Sequence, residues 1–371
     1  MALILPRQMT RALLRTRGMC QAGVGGCHLD PVVQRLLKGL RAGQRSSLAE
    51  AITLVETSHP KKKLQAKQLL TRVLQDANDH YATKGPQTLS FRIGLSGPPG
   101  AGKSTYIESF GKFLTAKGHR VAVLAVDPSS VTTGGSLLGD KTRMPELTRD
   151  DNAYIRPSPS RGHLGGVTRS TNEAIVLCEA AGYNIIIVET IGVGQSEFSV
   201  VDMVDLFTLL IPPGGGDELQ GLKRGIMEMS DLIVVNKSDG DLIPASRRMQ
   251  YEYISALKFI RPKSKNWRTP VKRISSLTLE GIPELWELML EYRKTMEESG
   301  EFVGRRKTQR RAWLWTHLKE SLVSVFMDTP GMRGRIREAE VRAMEGVVAP
   351  GDAADQLLRL HIEQLQKTSE S

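Results

Sequence analysis

Short, nearly unbroken apolar runs punctuate the middle of this chain. The clearest are at 121–126, 185–188, 206–211 and 232–235, each followed by a polar or glycine-bearing loop and then an amphipathic stretch. A strand with one wet face alternates apolar and polar residues, whereas a strand covered on both faces reads as a continuous apolar run. The pattern predicts strands near residues 91, 121, 153, 184, 205, 232 and 271, with helices between them. That is an α/β domain over 86–282, a mainly parallel central sheet flanked by helices. On either side the period turns helical. Residues 30–85 are mostly amphipathic, and Asp30-Pro31 marks a helix start, an N-cap followed by proline at the first helical position. Residues 283–371 return to helix and hold Trp286, Trp313 and Trp315, three of the chain's four tryptophans. Large aromatics beyond a finished sheet imply packing on the same subunit or a subunit interface. There is no internal repeat.

The first loop of this domain carries chemistry. Gly97-Pro98-Pro99-Gly100-Ala101-Gly102-Lys103-Ser104 is a phosphate-binding loop, two glycines closing on a Lys-Ser pair, with Thr105 next. Its predicted context is a buried strand before it and a helix after it. Backbone N–H groups at a helix N-terminus favour phosphate oxygens; the lysine would reach the β/γ-phosphates and the serine hydroxyl a Mg²⁺ ion. A plain turn needs neither side chain at those two places.

The base is read further on. The run ending at Val235 delivers Asn236-Lys237-Ser238-Asp239. A carboxylate at Asp239 accepts two hydrogen bonds from guanine, from N1–H and the 2-amino group, and is left unpaired by adenine, so discrimination is large. Asn236 would brace the loop and Lys237 lie along the base plane. The strand near 271 then delivers Ser275-Ser276-Leu277, the position of the last base-contacting loop, with Ser276 where alanine is commoner.

Two acids end strands on the same side, Asp127 after 121–126 and Glu189 after 184–188. A hard cation beside a triphosphate takes one or two carboxylates plus phosphate oxygens and water. Ser104, Asp127, Glu189 and, in Gly139-Asp140-Lys141, Asp140 form the candidate Mg²⁺ set. Lys103, Asp127 and Glu189 are the candidate catalytic residues.

Composition adds boundaries. No apolar run approaches the ~20 residues that span a bilayer, so no membrane partner is expected. The net charge is +11, but the basic clusters at 61–63, 305–307 and 310–311 lack interleaved aromatics, so they read as solvated helix faces and not as a nucleic-acid surface. Before Asp30 there is no acidic residue, while Arg7, Arg11, Arg15 and Arg17 stand among leucines; residues 1–29 therefore read as a mitochondrial presequence. Three cysteines, Cys20, Cys27 and Cys178, give no disulfide framework, and Cys178 reads as a small buried side chain.

Several longer segments resemble the methylmalonic aciduria type A and MeaB/ArgK family of P-loop GTPases. They are Leu95 through the phosphate loop to Thr105, Val126-Asp127-Pro128-Ser129-Ser130, residues 135–144, Glu189-Thr190-Ile191-Gly192-Val193-Gly194-Gln195-Ser196-Glu197, and residues 216–225. The resemblance runs from about residue 30 to the C-terminus. It implies a GTP/GDP- and Mg²⁺-dependent homodimer in the mitochondrial matrix. It implies a chaperone of methylmalonyl-CoA mutase that gates loading of adenosylcobalamin, the partner's cofactor, and protects or rescues the mutase from inactivation. A cobalamin adenosyltransferase is a further implied partner. The resemblance makes 30–85 an N-terminal extension and 283–371 the dimerisation region. It makes 127–144, 189–201 and 212–224 nucleotide-sensitive, the last sensing the partner through Gln220, Lys223 and Arg224. The competing reading is a P-loop kinase that transfers the γ-phosphate to an acceptor, with 156–169 as an arginine-bearing lid. A nickel-inserting GTPase would need a His- or Cys-rich tract that this chain lacks.

Overall fold

The computed structural model describes residues 29–369 except 58, 86–87, 127–143, 158–163, 191–195 and 215–223. The expected presequence with Cys20 and Cys27 lies outside these residues. So do Asp127, Asp140 and most of two of the three nucleotide-sensitive segments.

Three helices come first, α1 (Pro31–Arg41), α2 (Arg45–Val55) and α3 (Pro60–Lys84). The Asp30 carboxylate caps α1 by accepting from the Val32 N–H at 2.8 Å. The α/β region follows as β1 (Phe91–Ser96), α4 (Lys103–Ala116), β2 (Val121–Val126), α5 (Pro145–Arg149), β3 (Ala153–Pro157), α6 (Leu164–Ala180), β4 (Ile185–Thr190), α7 (Ser196–Val201), β5 (Leu206–Ile211), α8 (Arg224–Met229), β6 (Leu232–Val235), α9 (Ile243–Leu257) and β7 (Val271–Arg273). The C-terminal part is α10 (Ile282–Glu298), α11 (Glu301–Asp328), α12 (Met332–Met344) and α13 (Pro350–Ser369).

The seven strands form one sheet in the order β3-β2-β4-β1-β5-β6-β7, and every pair is parallel. All seven stand where the sequence predicts them, and β1, β2, β4, β5 and β6 are buried along their whole length. Alternate side chains feed two cores. On one face Ala122, Leu124, Ile186, Val188, Phe207, Leu209 and Ile233 pack with Leu36, Leu48 and Leu69 of α1–α3 and with Ile175 and Leu177 of α6. On the other, Phe91, Ile93, Leu95, Val123, Ile187 and Leu210 pack with Tyr106, Ile107 and Phe110 of α4 and with Trp286 and Met289 of α10. Trp286 thus belongs to the sheet's own core, with its ring 5.9 Å from that of Phe110. Cys178 is fully buried, as expected, and burial pushes its thiol pKa up. Among the described residues no helix is long and apolar enough to cross a membrane.

The edge of the sheet where the strands begin is closed by buried charge. Arg306 of α11 forks onto the Asp205 carboxylate, with nitrogen–oxygen distances of 2.8 and 2.6 Å. Arg305 pairs with Asp231 in the same bidentate way at 2.8 and 3.0 Å. Arg92 of β1 pairs with Glu179 of α6 at 2.8 and 2.9 Å. Breaking one member of such a pair strands the other charge. Burial opposes ionisation of Glu179, but Arg92 and Arg306 overcome it and hold the carboxyl at about 2. A carboxyl whose folded pKa lies below its ordinary value near 4.5 stabilises the fold fully above that value. This contribution, about 3 kcal/mol, is therefore lost as pH falls from about 4.5 towards 2. Urea unfolding at stepped pH should show that loss, and Glu179→Gln should flatten it. An unchanged acid limb in the variant would remove Glu179 from the account.

Candidate nucleotide site

At the opposite edge, where the strands end, three loops and the end of β4 converge. The first leaves β1 at Gly97. A Cβ there would lie 2.0 Å from the Leu210 carbonyl oxygen of β5, so only glycine lets the loop start this close to the sheet. Gly100 and Gly102 have φ of +82° and +87°, a backbone that side chains disfavour. Gly102 is the N-cap of α4, and the helix opens at Lys103. The first-turn N–H groups of such a helix have no acceptor within it, which is the arrangement that holds phosphate. The Lys103 ammonium donates to the Gly97 carbonyl at 2.7 Å and the Pro98 carbonyl at 3.2 Å, so it lies across the loop. Ala101 is buried, Pro98 and Ser104 are half-buried, and Pro99, Gly100 and Thr105 are exposed.

The second loop follows β6. Asn236 is buried and ties three segments together. Its Nδ2 donates to the Ala101 carbonyl at 3.0 Å, and its Oδ1 accepts from the Ser276 N–H at 3.2 Å and the Ser276 hydroxyl at 2.7 Å. Lys237 has φ +57°, unusual for a side-chain-bearing residue, and is exposed beside the phosphate loop. A Cβ on Gly102 would come within 3.7 Å of the Lys237 Cε and 2.7 Å of the Asn236 Nδ2, so that glycine is fixed by the base loop as well. Ser238 is buried, and its hydroxyl pairs with that of Ser246 at 2.7 Å.

The third loop follows β7. The Ser275 hydroxyl donates to the Asp239 carboxylate and accepts from the N–H groups of Leu277 and Thr278 at 3.2 and 3.0 Å. One carboxylate oxygen is thereby held, while the half-buried carboxylate keeps further lone pairs for donors outside the protein. Ser109 of α4 donates to the Ser276 carbonyl at 2.6 Å, a second bond between the phosphate and base sides. The Ser276 hydroxyl, which the sequence marks only as a small substitution, is an active part of this clamp. Leu277 is 78% exposed, at the rim.

The fourth element is the end of β4. Glu189 is buried in register with Leu95 of β1 and Ala125 of β2, two residues before the phosphate loop begins. Its neighbour Thr190 donates to the Ser96 hydroxyl at 3.0 Å, a pair that sequence patterning does not reveal. Val126, the residue before Asp127, is in register with Thr190. The described candidates for phosphate and base contact therefore share one edge of one sheet. Arg156, the start of the alternative arginine lid, is engaged elsewhere: it pairs with Glu56, the residue that caps the C-terminus of α2, at 2.7 Å and donates to the Thr53 hydroxyl.

Comparison with known proteins gives this arrangement its family. The family described as methylmalonyl-CoA mutase-associated GTPase MeaB matches residues 48–330, a span that includes the three loops and the end of β4. The chain is a MeaB-family GTPase. It is 58% identical over 327 residues to the mouse "Methylmalonic aciduria type A homolog, mitochondrial", covering 88% of this chain and 79% of that protein. It is 41% identical over 321 residues to "GTPase ArgK" of Escherichia coli, covering 86% and 94%. A crystal structure described as that of a LAO/AO transport system kinase superposes with a TM-score of 0.68 at 34% identity, over 89% of this chain and 98% of the other. The fold of this MeaB-family GTPase is thus shared along almost the whole described chain.

Proposed function

We propose that this MeaB-family GTPase is a Mg²⁺-dependent guanine-nucleotide switch that serves adenosylcobalamin-dependent methylmalonyl-CoA mutase in the mitochondrial matrix. It gates cofactor loading and protects or rescues the mutase from inactivation. The observation that carries the nucleotide reading is Asn236, whose one amide holds the phosphate loop at Ala101 and the base loop at Ser276. A rigid link of this kind sets the distance between the phosphate and base sites in advance, so binding energy is not spent on ordering them. The mutase and the compartment are supported by the description of the family and by the names of its animal relatives.

The residues take these roles. Gly97, Pro98, Pro99, Gly100, Ala101, Gly102, Ser104 and Thr105 wrap the phosphates, and Lys103 compensates their charge. Asp239, Lys237 and the 275–277 loop hold guanine. The hard oxygens of Ser104 and the buried carboxylate of Glu189 at the phosphate end suit Mg²⁺, with Asp127 and Asp140 as further ligands. When bound, the ion neutralises charge that develops between the β- and γ-phosphates.

The homodimer is supported by an apolar stripe beyond the sheet. Leu314, Trp315, Leu318, Leu322 and Val325 of α11 are 44–67% exposed, on one region of a single helix. Continuous apolar surface of this kind is characteristic of subunit contacts, and residues 283–371 are its place here. A cobalamin adenosyltransferase is the second protein partner in this reading.

The test is co-purification of the full chain with methylmalonyl-CoA mutase in the presence of GDP, of a non-hydrolysable GTP analogue, or of neither. The expected result is a complex whose yield changes with the nucleotide. No complex in any state would remove the mutase from the function while leaving the GTPase site untouched. Light scattering on the same preparation should give twice the chain mass of 40.9 kDa.

A further inference from the structure

The turn at residues 202–205, between α7 and β5, is bonded on two sides. Asp205 exchanges bonds with the Arg92 backbone of β1, its N–H donating to the Arg92 carbonyl and its carboxylate accepting from the Arg92 N–H, both at 2.9 Å, while the carbonyls of the turn are read by the C-terminal helices. Trp313 of α11 donates its indole N–H to the Asp202 carbonyl at 3.0 Å. Gln309 donates to the Val204 carbonyl at 2.7 Å. Arg305 and the Tyr292 hydroxyl of α10 both donate to the Asp205 carbonyl, the latter at 2.9 Å. Three of the four carbonyls of one turn are thus read by four side chains from one helical arm.

The turn is also the far end of α7, which begins six residues after Thr190. Val200, Met203 and Val204 are fully buried. Val200 and Val204 sit against β1 at Gly94, where a Cβ would meet Val204 at 2.8 Å and Val200 at 3.0 Å. Gly94 lies three residues before Gly97. At its other end α7 meets α8, where a Cβ on Gly225 would lie 3.4 Å from the Phe198 ring. The arm, the turn, α7 and the strand that enters the phosphate loop are therefore one contiguous packed path. Packed interiors shift in discrete steps and do not deform freely.

The geometry points to Trp313 and Gln309 as positioning residues for GTP hydrolysis: by fixing the 202–205 turn they set where α7 rests on Gly94, and so couple the C-terminal arm to the nucleotide site. Neither touches the nucleotide. An α7 that rests differently under GTP and under GDP makes the nucleotide state felt at the turn as well. The inference rests on the GTPase site alone and stands whether or not the mutase is the partner.

The test uses the full chain with Trp313→Phe and Gln309→Met, singly and combined. Both substitutions keep an apolar body and remove a donor, and Phe259→Leu, at an 83% exposed aromatic outside the C-terminal helices, is the control for an aromatic lost elsewhere. Three quantities are read: kcat for GTP hydrolysis, affinity for GDP, and amide exchange at 202–205 in GDP against a non-hydrolysable GTP analogue. In the parent, exchange at the turn should differ between the two nucleotides. In the double variant that difference should shrink and kcat should change at least about fivefold, the lower end of ordinary coupling, with GDP affinity within about twofold. A structural role alone would lower thermal stability and GDP affinity together. If the double variant does not fold, Trp313→Phe carries the same readouts. An unchanged kcat, or identical exchange in the two nucleotides in the parent, overturns the inference. A parent that hydrolyses no GTP would instead count against the nucleotide site itself.

Discussion

Lys103→Ala is expected to lower GTP hydrolysis by about 10²–10³-fold, the usual loss when one preorganised charge contact to the transition state is removed. The lysine lies across the loop on the carbonyls of Gly97 and Pro98, at the head of α4. It is the one described cation within the phosphate loop, and backbone N–H groups cannot replace its full charge. The fold should survive, because the loop is shaped by Gly97 against Leu210 and by Asn236 on Ala101, neither of which involves the ammonium. A thermal midpoint near that of the parent, with turnover lost, is the expected pair of results. Turnover within a few-fold of the parent would take the loop out of the chemistry.

Asp239→Asn is expected to reverse the choice of base. The carboxylate accepts from guanine N1–H and the 2-amino group. An amide in its place presents an N–H₂ to that amino group and leaves it unpaired, while xanthine offers a 2-oxygen that the amide can satisfy. Affinity for GTP should fall at least about 100-fold and xanthosine triphosphate should become the better ligand, as expected when a site built for one hydrogen-bond pattern meets another. The Ser275 hydroxyl, which donates to this carboxylate, can donate equally to the amide oxygen, so the loop should keep its shape. Competition binding with GTP, ATP and xanthosine triphosphate measures the change. Unaltered preference for GTP would mean that the base is read by other residues.

Much of the sheet is legible in the sequence because its strands are buried on both faces, and burial writes itself as a continuous apolar run. β1 departs from that pattern at Arg92, Gly94 and Ser96, and the structure explains each: an ion pair with Glu179, a close seat for Val200 and Val204, and a hydroxyl pair with Thr190. The phosphate loop is legible because its spacing is local. What joins it to the base loop is not, since Asn236, Ala101 and Ser276 are far apart in the chain and no local rule pairs them. The tryptophans divide for the same reason. Their helical tail is visible in the sequence. That Trp286 fills the sheet core, Trp313 bonds to Asp202 and Trp315 stays 53% exposed depends on where the tail crosses the domain. The attachment of α1–α3 to the face beside α6 is equally long-range and equally silent in the sequence.

The measurement closest to the central claim is the rate of GTP hydrolysis by the purified chain with and without methylmalonyl-CoA mutase, followed with GTP labelled in the γ-phosphate. A guanine-nucleotide switch that serves the mutase should release labelled phosphate to water, at a rate that changes at least about fivefold when the mutase is added. Label carried onto an acceptor, or a rate indifferent to the mutase at saturating concentration, would contradict it.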